Sequence, residues 1–164
     1  IVKSYSFDIG ESWTKVEPTD LAMSNSPCAL ARIPGTADLV LVWNQMSADE
    51  IRRGYRRGRL SLAISSDDGN TWQNFRTLEL VSGLSRTLRI DAPPLTSMVR
   101  GHSGSDPHLG EIPDDFRHYG YPEIYFEKEI ISICYKSYPL EGKRPMWWKK
   151  FPIECLYETK KGKL

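Results

Sequence analysis

A strand that runs directly into a tight turn lies near the middle of the chain, at residues 57–72. Asp67 is placed to accept backbone hydrogen bonds as in an Asx turn, and Gly69 can adopt the positive φ that a tight hairpin requires. We expect Trp72 to begin the next strand with a large buried side chain. The preceding residues alternate with period two, which predicts a strand with one apolar face. The apolar residues of that face are Leu60, Leu62 and Ile64.

The same turn occurs earlier in the sequence. Residues 6–13 and 65–72 have Ser, Asp, Gly and Trp at identical offsets, about 60 residues apart, and a repeat of about 40–50 residues or slightly more suggests propeller blades. The pattern S-x-D-x-G-x-[ST]-W is the Asp box, and it resembles the sialidase (neuraminidase) superfamily. The resemblance implies an all-β, six-bladed β-propeller. In that fold each Asp box forms the turn between the last two strands of a blade, away from the active site.

The length of the chain limits how much of a ring it can form. At 164 residues it can build a substantial core, but at about 60 residues per blade it holds the end of one blade, one whole blade and most of another. Half a ring or less would leave long unpaired strand edges. We expect residues 1–164 to be part of one propeller domain. The remaining blades would come from a missing N-terminal part of the chain or from other subunits.

Charge and composition exclude several classes of protein. The 22 basic and 21 acidic side chains nearly cancel, which argues against a nucleic-acid binder. No apolar run approaches the ~20 residues of a membrane span. No signal peptide is visible, so the sequence leaves the compartment unknown. The cysteines are scattered without a C-x-x-C motif, and we expect free thiols and no disulfide framework. They are Cys28, Cys134 and Cys155.

Apolar runs and turn residues predict the other elements. The expected strands are an inner strand at 25–32, a doubly buried strand at 39–44, a return strand at 75–80, a second inner strand at 119–126, its partner at 130–135 and a last strand region at 147–158. One helical turn is expected at 48–53. Residues 81–118 are expected to be irregular because prolines interrupt them.

An arginine-rich segment at 52–59 contains the first candidate site residues. It forms either a solvated edge or, if one arginine faces a cleft, an anion site, because the guanidinium fork makes two parallel charged hydrogen bonds to a carboxylate. In sialidases three arginines hold the sugar carboxylate, and the third precedes a strand of the form R-x-R-L-x-L. The resemblance therefore implies Arg57 as the carboxylate clamp, with Arg59 and Tyr55 as further substrate-binding residues.

The inner strand that begins with Gly120 contains the second candidate. Sialidases place a tyrosine nucleophile in a Gly/Ala-Tyr-Ser pattern at this point, so the resemblance implies Tyr121 as the nucleophile, without a cofactor. A tyrosine suits an anionic sugar, because a carboxylate nucleophile would be repelled by the carboxylate of the substrate. Here Pro122 replaces the serine. Glu123, two residues on, would share a strand face with Tyr121 and is the candidate base.

A second alignment stays open, in which Ser26 and Asn44 stand where sialidases have the Glu and the second Arg, so that two catalytic residues would be missing. The leading function is exo-hydrolysis of terminal sialic or related acidic sugars, with a further Asp as the acid. The alternative is a non-catalytic propeller that binds carbohydrate or protein.

Two weaker candidates concern a metal site and a sugar platform. Trp147 and Trp148 are expected to form a strand pair with one ring inward, although exposed rings could stack on sugars. No metal site is expected from the irregularly spaced side chains of the long loop. These are His102, Asp106, His108, Asp114 and His118.

Overall fold

A computed structural model describes residues 1–93, 112–139 and 141–158. They form three antiparallel sheets with almost no helix, which confirms the expected all-β class. The first sheet pairs β1 (Val2–Lys3) with β2 (Glu17–Pro18). The second has the order β3 (Ala29–Arg32), β4 (Leu39–Trp43), β5 (Arg59–Ser65) and β6 (Gln73–Leu80). The third has the order β7 (Arg117–Glu127), β8 (Ile130–Pro139) and β9 (Met146–Pro152). The helices are α1 (Ala48–Arg52) and a 3-10 helix (Ile153–Leu156).

The second sheet is the centre of the molecule because both of its faces are covered. One face joins the core formed with the third sheet, through Val40, Val42, Leu60, Leu62, Ile64, Ile131, Ile133 and Tyr135. The other face packs against the N-terminal segment, through Leu21, Leu41, Trp43 and Ala63. The continuous apolar run of β4 follows from this burial on both faces, as its sequence predicted.

The two Asp boxes form hairpin turns with the same hydrogen bonds. Ser6 Oγ donates to Asp8 Oδ1 at 2.8 Å, and Gly10 N donates to Ser6 Oγ at 2.7 Å. In the second box the corresponding distances, through Ser65, Asp67 and Gly69, are 2.8 Å and 2.8 Å. The glycines have φ of 93° and 84°, as the turn requires.

Trp72 is not as buried as expected, and the tryptophan of the first box is exposed. Trp13 is 65% exposed. Trp72 is half-buried, precedes β6 by one residue, and lines an open groove of about 800 Å³ between the first hairpin and the second sheet. Trp72 packs against the margin of the core cluster that contains Leu41 and Trp43, and it also lines the open groove.

The Asp boxes should make the fold sensitive to acid. The hydroxyl and backbone N–H of Ser12 lower the pKa of Asp8 to about 2, and the backbone N–H and hydroxyl of Thr71 lower the pKa of Asp67 from 3.8 to about 2. A carboxyl whose folded pKa is depressed contributes stability above its unfolded pKa and loses it as the pH falls through the folded pKa. We expect the melting temperature to fall between pH 4 and pH 2.

Thermal melts of Asp67→Asn check this expectation. The variant should melt below wild type at pH 5, and its melting temperature should change less between pH 4 and pH 2. Asp114→Asn, which removes an exposed carboxylate outside the boxes, serves as the control and should follow wild type. Identical pH profiles for Asp67→Asn and wild type would contradict the role given to the box.

Local signals explain where α1 and β9 begin and end. Helix α1, expected at 48–53, starts at a capping box in which the Ser47 side chain accepts from Glu50 N and the Glu50 carboxylate accepts from Ser47 N. Strand β9 was expected to continue to residue 158, but it ends at Pro152 and the 3-10 helix follows. Proline removes the backbone donor that a further ladder bond would need.

Candidate functional site

Arg57 and Tyr121 lie side by side at the end of the sheets opposite the Asp boxes. Arg57 precedes β5, which runs from there to the second box, and Tyr121 is near the start of β7. The Arg57 guanidinium carbon is 5.7 Å from the centroid of the Tyr121 ring. Tyr119 N donates to Arg57 O at 2.9 Å, and Arg57 Nη2 donates to Asn25 O at 2.9 Å. The structure therefore brings together the two principal candidates, which are far apart in sequence.

Gly120 permits this close approach. A Cβ at this position would lie 3.2 Å from Arg57 Nη1, closer than the guanidinium tolerates without moving. Tyr121 follows in a β-bulge between the pairs that Gly120 and Glu123 form with β8. Its φ is 54°, an uncommon value for a bulky residue, with a cost of about 1–3 kcal/mol. The bulge leaves the Tyr121 side chain 49% exposed.

Two more cations, Lys136 and Arg144, lie close to aromatic rings near Arg57. Lys136 Nζ is 5.2 Å from the centroid of the Tyr121 ring, and the ring of Tyr138 meets the Tyr121 ring at an angle of 62° and 6.3 Å. The guanidinium carbon of Arg144 is 5.7 Å from the Tyr138 centroid. We call these five residues, Arg57, Tyr121, Lys136, Tyr138 and Arg144, the Tyr121 cluster.

The Tyr121 cluster is positively charged. In the described part of the chain, none of its three cations forms an ion pair with a carboxylate, whereas Arg32 pairs with Asp68 at 3.1 Å and Lys149 with Glu79 at 3.1 Å. Cations near aromatic faces gain attraction from the ring, but this does not neutralise them. The cluster can therefore attract an anion and offer it hydrogen-bond donors.

Glu123, the candidate base, has a different partner from the one expected. Its carboxylate accepts a hydrogen bond from the Tyr125 hydroxyl, and this bond raises the pKa of Tyr125. Glu123 and Tyr121 are both on the exposed side of β7, as their spacing predicts, but no hydrogen bond joins them in the part of the chain described. Its role as a base stays a prediction.

Arg59 is in the interior and does not reach the surface beside Tyr121. It is 0% exposed, and its guanidinium donates to Glu50 Oε2 at 3.0 Å and Oε1 at 2.7 Å, and to the carbonyls of Gln45 and Ser85 at 2.9 Å each. Burial alone would raise the pKa of Glu50, but the hydrogen bonds from Arg59 and the Ser47 backbone outweigh it and lower the pKa. Arg59 thus anchors the loop that carries Arg57.

Tyr55 is also interior, at 2% exposure. Its ring packs against the edge of Phe116 with centroids 5.7 Å apart, and the Arg53 guanidinium carbon lies 5.0 Å from its centroid. Of the three predicted substrate-binding residues, only Arg57 is placed where a ligand can reach it. Arg59 and Tyr55 are buried and pack under the loop that carries Arg57.

The residues of the second alignment also have structural partners. Asn44 is buried, and its Nδ2 donates to Arg59 O at 2.8 Å and Tyr119 O at 3.0 Å, which ties β5 to β7. The hydroxyls of Ser26 and Ser24 lie 3.3 Å apart. Asn44 therefore helps to hold the two strands that carry the cluster.

The sequence did not single out Lys136, Tyr138 and Arg144. Two of them could have been found from the sequence. Lys136 and Tyr138 are two residues apart on the strand that pairs with the start of β7, so their side chains share one face of the sheet. Arg144 lies in the connection before β9, and no sequence pattern places its guanidinium against Tyr138.

The remaining chemical candidates add little to this site. His102, Asp106 and His108 lie outside the described residues, and His118 packs against Phe116 with centroids 4.9 Å apart. Within residues 1–93, 112–139 and 141–158, no three metal-ligating side chains converge and no helix is long and apolar enough to span a membrane. Cys28, Cys134 and Cys155 are free thiols, as expected. Trp147 and Trp148 are both about half exposed on the edge strand β9, so the expectation that one of the two rings is buried is wrong.

Comparison with known families matches residues 1–133 to the BNR repeat-like domain. No curated protein and no solved structure matched the chain. The matched range contains both Asp boxes, Arg57 and Tyr121, and it agrees with the resemblance to the sialidase superfamily that the boxes indicate. The chain belongs to the BNR repeat-like family.

Proposed function

We propose that this chain forms part of a sialidase-like glycoside hydrolase that removes terminal sialic or related acidic sugars, and that Arg57 and Tyr121 are its share of the sugar site. One observation carries the proposal: the Arg57 guanidinium lies beside the exposed Tyr121 ring without a carboxylate partner in the described chain. An arginine in this state offers charged hydrogen bonds to an incoming carboxylate.

In the proposed reaction Arg57 holds the sugar carboxylate so that the anomeric carbon lies over Tyr121. The Tyr121 oxygen forms a bond to that carbon while the glycosidic bond breaks, and an Asp from another part of the ring protonates the leaving oxygen. Glu123 takes the phenol proton, which requires its carboxylate to exchange the Tyr125 hydroxyl for that of Tyr121. Water then hydrolyses the glycosyl–tyrosine intermediate.

The proposed architecture is a six-bladed propeller, of which this chain supplies about half or less. The four-stranded second sheet has the order expected of a blade, and its strands β3, β4 and β5 contact β7 of the third sheet, as neighbouring blades would. The other blades would come from further sequence or from other subunits. The repeated Asp-box hairpins support this arrangement.

A second candidate function is supported by the state of Glu123. The Glu123 carboxylate is hydrogen-bonded to Tyr125, and within the described residues no carboxylate is hydrogen-bonded to Tyr121 as the base that a phenol nucleophile needs. A domain in this state would bind acidic sugars without cleaving them. Binding with no turnover would select this alternative, and both functions share the site at Arg57.

Loss of the Arg57 guanidinium should weaken acidic-sugar binding. We expect Arg57→Ala to reduce the affinity of the full chain for the methyl glycoside of N-acetylneuraminic acid by about 10- to 100-fold, because a hydrogen bond to a charged group contributes about 1.5–3 kcal/mol. Isothermal titration calorimetry measures the change.

Arg32→Ala is the matched control, because it removes an exposed arginine at the Asp-box end of the sheets. It should bind as wild type does. Equal affinities for wild type and Arg57→Ala would show that the carboxylate is not held by Arg57.

A further inference from the structure

The Tyr121 cluster extends beyond Arg57 in one direction. Lys136 and Tyr138 alternate along the end of β8, and Lys136 contacts the same ring as Arg57. Tyr138 adds a second ring, and Arg144 contacts that ring and not the first. Two cations thus contact the first ring and one contacts the second, and we call this series of contacts, from Arg57 through the two rings to Arg144, the row.

This row carries more positive charge than one carboxylate needs. Three like charges without carboxylate partners in the described chain repel one another, whereas the charge of Arg89 is compensated by Asp91 at 2.6 Å. Lys136 and Arg144 are exposed, so the repulsion is weakened by water but remains when a ligand excludes water. An anionic ligand that spans the row would relieve the repulsion at both ends.

We propose that the site binds acidic glycans with a second anionic group on the residue next to the terminal acidic sugar, and that Lys136 and Arg144 select for that group. The inference rests on the proposed function, because Arg57 must hold the first carboxylate. The second group is a carboxylate or a sulfate ester, since the ammonium of Lys136 acts as a point charge and the fork of Arg144 pairs with either anion.

Screening by water limits how much Lys136 and Arg144 can add to the affinity. Pairs between exposed groups are screened, so each cation should contribute only a few-fold to affinity, far less than Arg57. The wild-type chain should therefore prefer a dianionic glycan over a monoanionic one by about tenfold at low salt. That preference should shrink as the ionic strength rises.

The test compares three ligands by calorimetry on the full chain: a monoanionic methyl sialoside, a disialoside with two carboxylates, and a sialoside with a sulfate ester on the neighbouring sugar. The variants are Lys136→Ala combined with Arg144→Ala, and Lys150→Ala as the control. Lys150 is a suitable control because it lies outside the cluster, on β9. Its ammonium is 6.0 Å from the centroid of the Trp148 ring on the same strand. All substituted side chains are exposed, and circular dichroism checks that the variants fold.

The expected result is that wild type binds one or both dianionic ligands more tightly than the monoanionic sialoside. The double variant should lose this ratio of affinities, and Lys150→Ala should keep it. The two dianionic ligands separate a carboxylate from a sulfate as the second group. Equal affinity of wild type for all three ligands would overturn this inference and leave the proposed function standing. Failure of wild type to bind any of them would overturn both.

Discussion

The Glu50→Ala variant should lose about 3–5 kcal/mol of unfolding free energy, because it leaves the Arg59 guanidinium buried without its counter-charge. Arg59 is 0% exposed and Glu50 binds it through both carboxylate oxygens, at 2.7 Å and 3.0 Å. Urea denaturation measures the loss. Because the folded pKa of Glu50 is lowered, the pair contributes fully above the unfolded pKa of 4.5 and loses its contribution as the pH falls.

The neighbouring carboxylate provides the control for this prediction. Asp49 lies in the same helical turn, but its contacts with Arg52 and Arg53 are 4.0 Å long and exposed, so Asp49→Ala should cost less than about 1 kcal/mol. Equal stabilities of Glu50→Ala and Asp49→Ala would show that the buried pair of Glu50 and Arg59 does not hold the loop of Arg57 in place. A large loss confined to Glu50→Ala would support that role.

The Tyr121→Phe variant should lower turnover of the 4-methylumbelliferyl sialic acid conjugate by about 100-fold or more, since removing the nucleophilic oxygen costs at least about 2.7 kcal/mol in the barrier. The ring remains, so its contacts with Arg57 and Lys136 persist. Affinity for a methyl sialoside should therefore stay close to that of wild type. The expected effect is on kcat and not on binding.

Tyr5→Phe is the matched control, because the Tyr5 hydroxyl donates to Asp68 O at 3.0 Å at the Asp-box end. Its turnover should equal that of wild type. Turnover that persists in Tyr121→Phe would remove the nucleophile assignment and leave the hydrolase class open. Sugar binding without turnover in wild type would favour the binding domain.

The features that could be predicted from sequence are those that depend on neighbours in sequence. The Asp boxes follow from short hydrogen bonds within eight residues, and Gly69 adopts its positive φ for the same local reason. The double burial of β4 follows from its continuous apolar run. The approach of Arg57 to Tyr121 is not local, and only the family resemblance predicted that these two residues belong to one site.

The features that could not be predicted depend on which other elements pack against a given face of a strand. Alternation places Arg59 on one side of a strand, but it does not reveal that Glu50 of a preceding helix folds over that side and buries it. Trp72 differs in the opposite direction. It was expected to be buried, but no part of the described chain covers it fully and it lines a groove. Lys136 and Arg144 belong to the site through contacts with rings that are distant in sequence.

The most direct test of the central claim is an NMR titration of the full, isotopically labelled chain with the methyl glycoside of N-acetylneuraminic acid. We expect chemical-shift changes at the backbone amides of Gly120 and Tyr121 and at the side-chain Nε–Hε of Arg57, with little change at Gly10 and Gly69 in the Asp boxes. Changes confined to the Asp-box end, or no changes at saturating sugar, would contradict an acidic-sugar site at Arg57 and Tyr121.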